Sequence, residues 1–230
     1  MLRKSTIILF VLALALTSFQ SVLAADPIFS DDFESGNLLA WTARKTDFGD
    51  LAVTTPSALQ GSFGMRARID DNTPIYVTDD TPNGEVSYQA KFLFDPNSIS
   101  MANRDFHTIF LAKQGPCGSC IPMLRVEFRK FNDTYMLRAG TRQDNLTWLN
   151  TQWFAISDQS HAVEVEWDAS EAAGMNNGQL AFYIDSVQMA NRTDVDNDNF
   201  RVDRVLLGAI AGIDVTTRGT TFFDLFESFK

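Results

Sequence analysis

The sequence predicts an all-β fold in which two antiparallel sheets pack face to face. Three observations lead to this prediction. Apolar and polar residues alternate over about a dozen short segments, turn-forming residues separate those segments, and only residues 168–173 have a helix-like pattern, too short to shape the fold. The chain also contains 19 phenylalanines, enough large apolar side chains to fill the space between two sheets.

The clearest strand covers residues 86–94. Val86, Tyr88, Ala90, Phe92 and Phe94 alternate with polar or smaller residues and share one face, which predicts a half-buried strand that ends at the turn 95–97. Turn signals at 82–84, 132–133, 176–178 and 194–199 separate other segments of the same kind. The other predicted strands are 62–69, 75–78, 106–112, 123–131, 135–141, 162–167, 179–184, 200–207 and 220–229.

The first and last segments after the N-terminal leader have matching compositions. Residues 31–37 read Asp-Asp-Phe-Glu-Ser-Gly-Asn, and residues 222–229 read Phe-Phe-Asp-Leu-Phe-Glu-Ser-Phe. Both combine aromatic residues with carboxylates and are predicted to be short strands that pair with each other. No internal linker interrupts the pattern, so we expect one domain over residues 26–230.

Residues 1–25 are predicted to be a signal peptide. Arg3 and Lys4 precede an apolar run at 6–19, and the small residues Ala24 and Ala25 offer cleavage sites. No second apolar segment is long enough to cross a bilayer. The mature protein is therefore expected to be soluble, without membrane insertion, and secreted or extracytoplasmic.

The charge balance argues against polyanionic partners that bind through general electrostatics. The chain has 19 basic and 29 acidic residues. Removal of the leader takes two basic residues away and leaves a net charge of −12. With no basic run, nucleic acid and anionic membranes are not expected partners. Solubility accounts for the acidity, and cation binding by loops rich in Asp and Asn is the functional alternative.

Cys117 and Cys120 are separated by two residues and are the only cysteines. In an exported chain this spacing predicts a small-loop disulfide that fixes a hairpin tip. A redox role would need a thioredoxin-like βαβ setting, whereas the flanking sequence is strand-like.

Four segments together resemble a known group of folds. Residues 31–37 with the following Trp41 resemble the opening of concanavalin A-like (laminin G-like) jelly rolls of exported bacterial proteins, and residues 219–224 resemble their last strand. Residues 161–167 and 178–185 are similar to two central strands of that group. The resemblance implies a single-domain concanavalin A-like jelly roll. Since this superfamily contains lectins, glycosidases, lyases and adhesion modules, it leaves the function open.

Three carboxylates alternate along one predicted strand. Glu164, Glu166 and Asp168 would share a face, and hydrolysis of a glycosidic bond needs two carboxyl groups that flank it. Resemblance to lichenase- and laminarinase-type glucanases, which carry Glu-x-Asp-x-Glu on a strand, implies a nucleophile at the first position and an acid/base at the last. The spacing agrees, but two of the three residue types differ. The favoured alternative is an acidic outer face on a strand that buries Val163, Val165 and Trp167.

A second charged strand matches the residue pattern of a polysaccharide lyase motif. Arg125, Glu127 and Arg129 match the Arg-x-Glu-x-Arg strand of lyases with this fold. Those lyases also carry a Gln-x-His strand and a Tyr-rich strand, and neither follows Arg129 here. The pattern is therefore interpreted as a surface strand of alternating charge.

The two histidines, His107 and His161, lie at strand starts. A Ser-His-Asp hydrolase or a histidine-rich metal site would have to use one of them. Neither lies in a nucleophile elbow or a His-x-x-x-His motif, so both are predicted to be hydrogen-bonded structural residues.

Calcium is the expected cofactor, in a structural role. Resemblance to jelly rolls of this group implies a site where the first and last strands meet, with Glu34, Asn37 and Asp224 as metal ligands and the Gly36 carbonyl as an extra donor. The alternative is that Asn37 caps a turn and Asp224 pairs with a base. A second acidic segment, 194–199, begins like an EF-hand loop but lacks the required glycine and glutamate, so a turn explains it.

Sugar binding would use aromatic platforms beside amide groups. Trp148 and Trp153 lie close to Asn150 between two predicted strands, and these three residues are the candidate ligand-binding residues. The alternative is that the tryptophans belong to the core.

These observations favour an exported, non-catalytic, lectin-like module that binds a polysaccharide, another glycan or a cell-surface partner and is stabilised by calcium. The first alternative is a glycoside hydrolase that acts through Glu164, Glu166 and Asp168. The second is a structural adhesion or envelope protein that binds no sugar.

Overall fold

The computed structural model describes residues 26–115 and 120–230. Within these ranges the chain forms sixteen strands and two single-turn 3-10 helices, at Asp47–Gly49 and Thr55–Ser57. The strands are Pro27–Asp31 (β1), Ala43–Lys45 (β2), Leu51–Thr54 (β3), Gly64–Ile69 (β4), Ile75–Asp79 (β5), Ser87–Asp95 (β6), Phe106–Gln114 (β7), Ile121–Phe131 (β8), Thr134–Arg142 (β9), Trp148–Asn150 (β10), Phe154–Ile156 (β11), His161–Asp168 (β12), Gly178–Ile184 (β13), Val187–Val195 (β14), Arg204–Ala211 (β15) and Gly219–Phe229 (β16).

The strands form two antiparallel sheets of eight. Sheet I has the order β14-β13-β12-β6-β16-β4-β3, and β1 pairs with β16 outside this path. Sheet II has the order β10-β9-β8-β7-β15-β5-β2, and β11 pairs with β9. The predicted two-sheet antiparallel architecture is confirmed.

Aromatic side chains from both sheets form the core between them. Phe92 and Phe94 of sheet I lie against Phe110 and Phe128 of sheet II, with ring centroids 6.0 and 5.0 Å apart. All four side chains are completely buried. Because side chains alternate along a strand, each sheet uses one face for this core and leaves the other facing outward. Binding surfaces are therefore available on the outer faces of both sheets.

The predicted pairing of the first and last strands is confirmed. β1 lies antiparallel to β16, and Asp26 and Lys230 exchange two backbone hydrogen bonds of 3.0 and 2.9 Å. Residues 31–37 are not a strand throughout, because β1 ends at Asp31. The Asp31 carboxylate accepts the amide of Phe33, whose φ of 58° turns the chain away from the sheet.

Two further details differ from the predictions. Val86 lies just before β6 and is 55% exposed, whereas Tyr88, Ala90, Phe92 and Phe94 are buried as expected. The strand predicted at 200–207 begins at 204, because Asp198 and Asn199 form a turn and Val202 makes only an isolated bridge with Glu85. In both cases the apolar pattern extends past the hydrogen-bonded strand.

Two predictions concern residues outside the described ranges. The signal peptide at residues 1–25 lies wholly outside them, as does Cys117 of the predicted disulfide with Cys120, so both remain predictions. In residues 26–115 and 120–230, no helix is long and apolar enough to span a membrane.

Candidate functional site

The outer face of sheet II carries a cluster of charged side chains. Along β8, Leu124, Val126 and Phe128 are fully buried in the core, while the alternate residues point to the opposite face. Those alternate residues are Arg125, Glu127 and Arg129.

A tight hairpin brings more arginines beside them. Asn132 and Asp133 have φ values of 48° and 59°, which suit a two-residue turn between β8 and β9. The register places Glu127 opposite Arg138. Arg142 lies two positions beyond Gly140, on the same face of β9. The outer face of the hairpin therefore presents four arginines and one glutamate.

Glu127 joins two of these arginines. Its carboxylate lies 3.2 Å from Arg125 Nη1 and 2.6 Å from Arg138 Nε. The Glu127 side chain is only 1% exposed, and the two arginine side chains are 19% and 21% exposed. The sequence analysis interpreted this strand as a solvated surface strand of alternating charge. The structure differs, because the carboxylate of the strand is buried beneath the arginines.

Two tryptophans cover the guanidinium groups. The Trp148 ring centroid lies 3.9 Å from the Arg125 guanidinium carbon, and the Trp153 centroid lies 4.2 and 4.4 Å from those of Arg129 and Arg138. Both tryptophans remain partly exposed. Stacked guanidinium groups keep their N–H edges free for other partners. We name this surface the arginine face; it consists of Arg125, Glu127, Arg129, Arg138, Arg142, Trp148, Asn150 and Trp153.

A glycine allows the arginine face to close over β9. Asn150 Oδ1 accepts a hydrogen bond of 3.1 Å from Arg125 Nη2. A Cβ atom on Gly140 would lie 2.3 Å from that same oxygen and 3.5 Å from Arg125 Nε. Any larger residue at position 140 would therefore displace the Asn150 side chain from its hydrogen bond with Arg125, whereas the distance to Arg125 is an ordinary contact.

The arginine face has unbalanced positive charge and unused donors. Burial lowers the pKa of Arg125, which Arg138 and Arg142 lower further against the opposing effect of Glu127. Burial and the neighbouring Arg138 and Arg104 also lower the pKa of Arg129. The Nε atoms of three arginines have no hydrogen-bond partner among the described residues; these are Arg125, Arg129 and Arg142. An anion bound here would relieve the repulsion between the guanidinium groups.

The three candidate sugar-binding residues, Trp148, Asn150 and Trp153, therefore lie together on the arginine face. Trp148 and Asn150 come from β10, and Trp153 precedes β11. Arg138 and Arg142, the arginines that share this face, were missed by the sequence analysis. The signal that could have found them is the hairpin turn, which fixes the register of β9 against β8.

The carboxylate triplet lies on the opposite side of the molecule. Glu164, Glu166 and Asp168 point outward from β12 of sheet I, while the alternate residues are buried in the core. Glu164 Oε1 accepts a hydrogen bond of 2.5 Å from Gln89, and Glu166 Oε2 accepts one of 3.0 Å from Tyr183. The pKa of Glu166 is raised, chiefly by burial and further by Glu164 and Asp168. A raised carboxyl pKa is what a general acid requires.

The residues proposed for calcium lie where the first and last strands meet. Glu34 Oε1 accepts the amides of Ser62 and Phe63 at 2.7 and 2.9 Å. The fully buried Asp224 carboxylate accepts the amides of Leu59 and Gln60 at 2.8 and 3.0 Å. Amides alone hold these carboxylates, because neither pairs with a basic side chain among the described residues.

Burial raises the pKa of Asp224, and the negative charge of Glu34 raises it further. Carboxylate oxygens are the donors that a hard cation such as calcium prefers, so Glu34 and Asp224 offer ligands of the right chemical type. Asn37 has a different local role. Its side chain donates to the Ser35 carbonyl and accepts the Leu39 amide, at 2.9 and 2.8 Å, so it caps a turn.

The two histidines differ from each other. His161, the first residue of β12, is hydrogen-bonded to Ser157 and Asp185, as predicted for a structural residue. His107 is fully buried, and neither ring nitrogen has a partner among the described residues. The predicted hydrogen bond of His107 is therefore wrong, because its strand position carries it into the aromatic core beside Phe128.

No family model matches the chain, and no curated protein matches it. Among solved structures, alginate lyase Aly36B is 12% identical, with a TM-score of 0.60, over 90% of this chain and 98% of that chain. The cellulose induced protein Cip1 is 14% identical, with a TM-score of 0.61, over 87% and 96%. The globular domain of T. cruzi calreticulin is 10% identical, with a TM-score of 0.59, over 88% and 87%. At these identities the similarity shows the fold alone: a two-sheet jelly-roll sandwich, consistent with the concanavalin A-like fold.

Proposed function

We propose that this protein is an exported, lectin-like module that binds an acidic polysaccharide on the arginine face. The observation that carries this proposal is the charge imbalance: four arginines surround a single buried carboxylate on a chain whose net charge is −10. Local positive charge on an acidic protein supports a specific anionic ligand rather than general attraction to polyanions. Guanidinium groups bind carboxylates through paired N–H donors, which favours a chain of uronate sugars.

The tryptophans support a sugar as the carrier of those carboxylates. Trp148 and Trp153 are partly exposed beside the arginines, and aromatic rings of this kind offer an apolar platform next to polar groups. A solved structure of the same fold, a variant of alginate lyase Aly36B, was determined in complex with an alginate trisaccharide. That similarity supports the proposal at the level of the fold.

The test uses arginines that are not tied to Glu127. Replacing Arg129 and Arg142 together by glutamine removes two charges without leaving the buried carboxylate unpaired. We expect binding of alginate and polygalacturonate, measured by titration calorimetry, to weaken at least about tenfold, since each lost charged hydrogen bond contributes roughly 1 to 3 kcal/mol.

The matched control removes two charges from sheet I. Arg68 and Arg192 are 53% and 41% exposed there, and their replacement by glutamine should leave binding unchanged. Equal weakening in both double variants would show that only net charge matters. Absence of binding to any acidic or neutral polysaccharide would contradict the proposal and favour a structural adhesion or envelope protein.

Calcium completes the proposal as a structural cofactor at Glu34 and Asp224. These side chains would hold the ion, and the ion would supply the positive charge that the buried carboxylate of Asp224 lacks. The Gly36 carbonyl, in the adjoining turn, is the further proposed donor, whereas Asn37 caps that turn with both polar atoms of its side chain.

A second candidate function is glycoside hydrolysis through Glu164, Glu166 and Asp168. The raised pKa of Glu166 favours it, since a general acid needs a carboxyl pKa above the ordinary value. The reaction would release reducing ends from a glucan, and Glu164→Gln should abolish that release while the melting temperature stays unchanged. Equal release by the wild type and the variant, or none from the wild type, would remove this candidate.

A further inference from the structure

Three side chains from separate segments form a hydrogen-bonded Ser-His-Asp arrangement. Ser157 follows β11, His161 begins β12, and Asp185 lies in the turn between β13 and β14. Ser157 Oγ lies 2.8 Å from His161 Nε2, and His161 Nδ1 lies 2.7 Å from Asp185 Oδ2. These distances are those expected between a nucleophile, its base and the group that orients the base.

The sheet holds Asp185 in place beside the histidine. The Asp185 amide donates to the Ala162 carbonyl at 2.8 Å, and the Ala162 amide donates to Asp185 Oδ1 at 2.9 Å. Asp185 Oδ2 is thus left for the imidazole. Two carboxylate oxygens with separate partners fix the ring orientation, as they do for the base of a catalytic triad.

The backbone determines which nitrogen of His161 carries the proton. The Ser157 amide also points to Nε2, at 3.2 Å, and a backbone amide can only donate. Nε2 must therefore present its lone pair, which places the proton on Nδ1, where Asp185 accepts it. In this tautomer Nε2 is ready to accept the proton of the Ser157 hydroxyl.

Ser157 is exposed and borders an open groove of about 480 Å³, a volume on the scale of small-molecule sites. The groove is largely polar and is lined by Ser98, Lys130, Asp133, Thr134, Tyr135, Ile156, Ser157 and Asp158. It has no apolar chamber for a long acyl chain. Its shape and polarity suit a small acyl group attached to a hydroxylated carrier.

The groove is continuous with the strands of the arginine face. Trp153 and Ser157 flank the three-residue strand β11, so they are separated by about 13 Å at 3.3 Å per residue. A few sugar units span that distance. A polysaccharide that is held at Trp153 and runs along β11 would pass close to Ser157.

We propose that Ser157 is the nucleophile of an esterase site that removes small acyl groups from the hydroxyls of a bound polysaccharide. The hydroxyl oxygen attacks the ester carbonyl carbon while its proton passes to His161 Nε2. The bond to the sugar oxygen breaks, and that oxygen takes the proton from Nε2. Water then attacks the acyl-serine with the same base, which releases the carboxylic acid and restores Ser157. The amides of residues 158–160 donate no hydrogen bond within the described residues and would be available to the oxyanion.

The test begins with small probes that need no polysaccharide. A fluorophosphonate should label Ser157, as located by peptide mass spectrometry, and the wild type should hydrolyse p-nitrophenyl acetate. Ser157→Ala should abolish labelling and lower the hydrolysis rate by about 100-fold or more, and Asp185→Asn should lower the rate as well. Ser30→Ala is the matched control and should leave the rate unchanged, because Ser30 is an exposed serine on β1 that does not line this groove.

Failure of labelling, or hydrolysis at an equal rate in Ser157→Ala, would overturn the proposal and leave His161 as a link between two turns. Ser157→Ala is expected to fold, because the side chain is exposed, and its melting curve checks this. The choice of a polysaccharide carrier rests on the proposed function, so acetate release from acetylated alginate is measured separately. If Ser157 is labelled but the Arg129 and Arg142 substitutions do not change the rate of acetate release, the esterase proposal stands. The same result would contradict polysaccharide binding on the arginine face.

Discussion

His107 is a fully buried imidazole, and both of its ring nitrogens lack hydrogen-bond partners among the described residues. Its ring packs edge-on against Phe128, with centroids 5.5 Å apart. Burial lowers the pKa of His107 to about 4, against a small raising effect of Asp214. The imidazole is therefore neutral at neutral pH, and its protonation opposes folding.

The lowered pKa of His107 predicts a pH-dependent loss of stability. The folded pKa lies below the unfolded value, so the contribution is complete above pH 6.5 and is lost as the pH falls toward about 4. The loss is roughly 3 kcal/mol, at 1.36 kcal/mol per unit. His107→Leu should be at least as stable at pH 7, because it leaves no partner unpaired, and should not show this loss.

Urea unfolding of the wild type and His107→Leu between pH 7 and pH 4 checks this prediction. Asp79 and Asp224 have raised pKa values and act in the opposite direction, since their protonation favours the folded state. Both proteins contain these aspartates, so the difference between their free energies of unfolding reports the contribution of His107. If that difference is the same at pH 7 and at pH 4, the lowered pKa of His107 is contradicted.

The β8–β9 hairpin is the element that creates the arginine face. Alternation along β8 was evident from the sequence, and it correctly placed Arg125, Glu127 and Arg129 on one face. What the strand alone could not reveal is that Arg138 crosses directly opposite Glu127. That contact depends on the register, which the turn at residues 132–133 sets through its two positive φ values.

Other elements show the same limit of local sequence information. β14, which was not predicted, is an edge strand of sheet I in which most residues are partly or fully exposed, so its sequence lacks the apolar alternation that reveals a strand. The Ser157 arrangement depends on a turn between β13 and β14 that brings Asp185 to His161, 24 residues earlier. Local patterns identify buried strands, whereas sites assembled between strands depend on pairing.

Removal of the charge on Glu127 should destabilise the hairpin. In Glu127→Gln the guanidinium groups of Arg125 and Arg138 lose the carboxylate between them and repel each other. We expect the free energy of unfolding to fall by roughly 1.5 to 3 kcal/mol, the range for hydrogen bonds to charged groups. Denaturant unfolding measures the change. Glu227→Gln is the control, because Glu227 is exposed and should change stability by less than about 0.5 kcal/mol.

If Glu127→Gln and the wild type have the same free energy of unfolding, water already screens the repulsion between the two guanidinium groups. An acidic polysaccharide should raise the melting temperature of Glu127→Gln, since its carboxylates would reduce the repulsion between the arginines that no longer have the Glu127 charge between them. No rise in the variant, together with a rise in the wild type, would place the ligand elsewhere.

At the scale of the whole molecule, the pairing of the first and last strands brings Glu34 and Asp224 together. The sequence predicted that pairing from composition alone, and it also predicted the two sheets, because a jelly roll repeats one simple alternation throughout. It could not predict that Asp224 would be buried with only backbone amides for partners. Because no basic side chain among the described residues pairs with Asp224, we expect a cation bound there to stabilise the fold.

Calcium should therefore raise the melting temperature, and chelation should reverse the change. At a concentration about 100 times its dissociation constant, a ligand adds roughly 2.7 kcal/mol, or about 5 to 10 °C for a chain of this size. Asp224→Asn should abolish the response, and Glu34→Gln, which keeps an acceptor for the Ser62 and Phe63 amides, should weaken it.

Differential scanning calorimetry of these variants, with calcium and with chelator, provides the measurement. Asp198→Asn is the control for a second acidic group, in which oxygens of Asp144, Asp196 and Asp198 lie within 4.8 Å of one another. A calcium response that survives Asp224→Asn and disappears in Asp198→Asn would reject the proposed site. Absence of any response in the wild type would reject calcium as a cofactor.

The whole-molecule charge and the arginine face act in opposite directions on an acidic polysaccharide. The net charge of −10 repels the ligand, and the arginines attract it. At about 0.01 M salt the screening length is about 30 Å, so the ligand senses the entire protein. At about 0.15 M salt the screening length is about 8 Å, so the ligand senses mainly the arginine face. At about 1 M salt the screening length is about 3 Å, which weakens that attraction as well.

Alginate affinity, measured by calorimetry across this range of salt, should therefore be highest at intermediate salt. A steady fall from the lowest salt would show that the arginines dominate at every distance. Affinity that does not change with salt would exclude the arginine face as the binding surface.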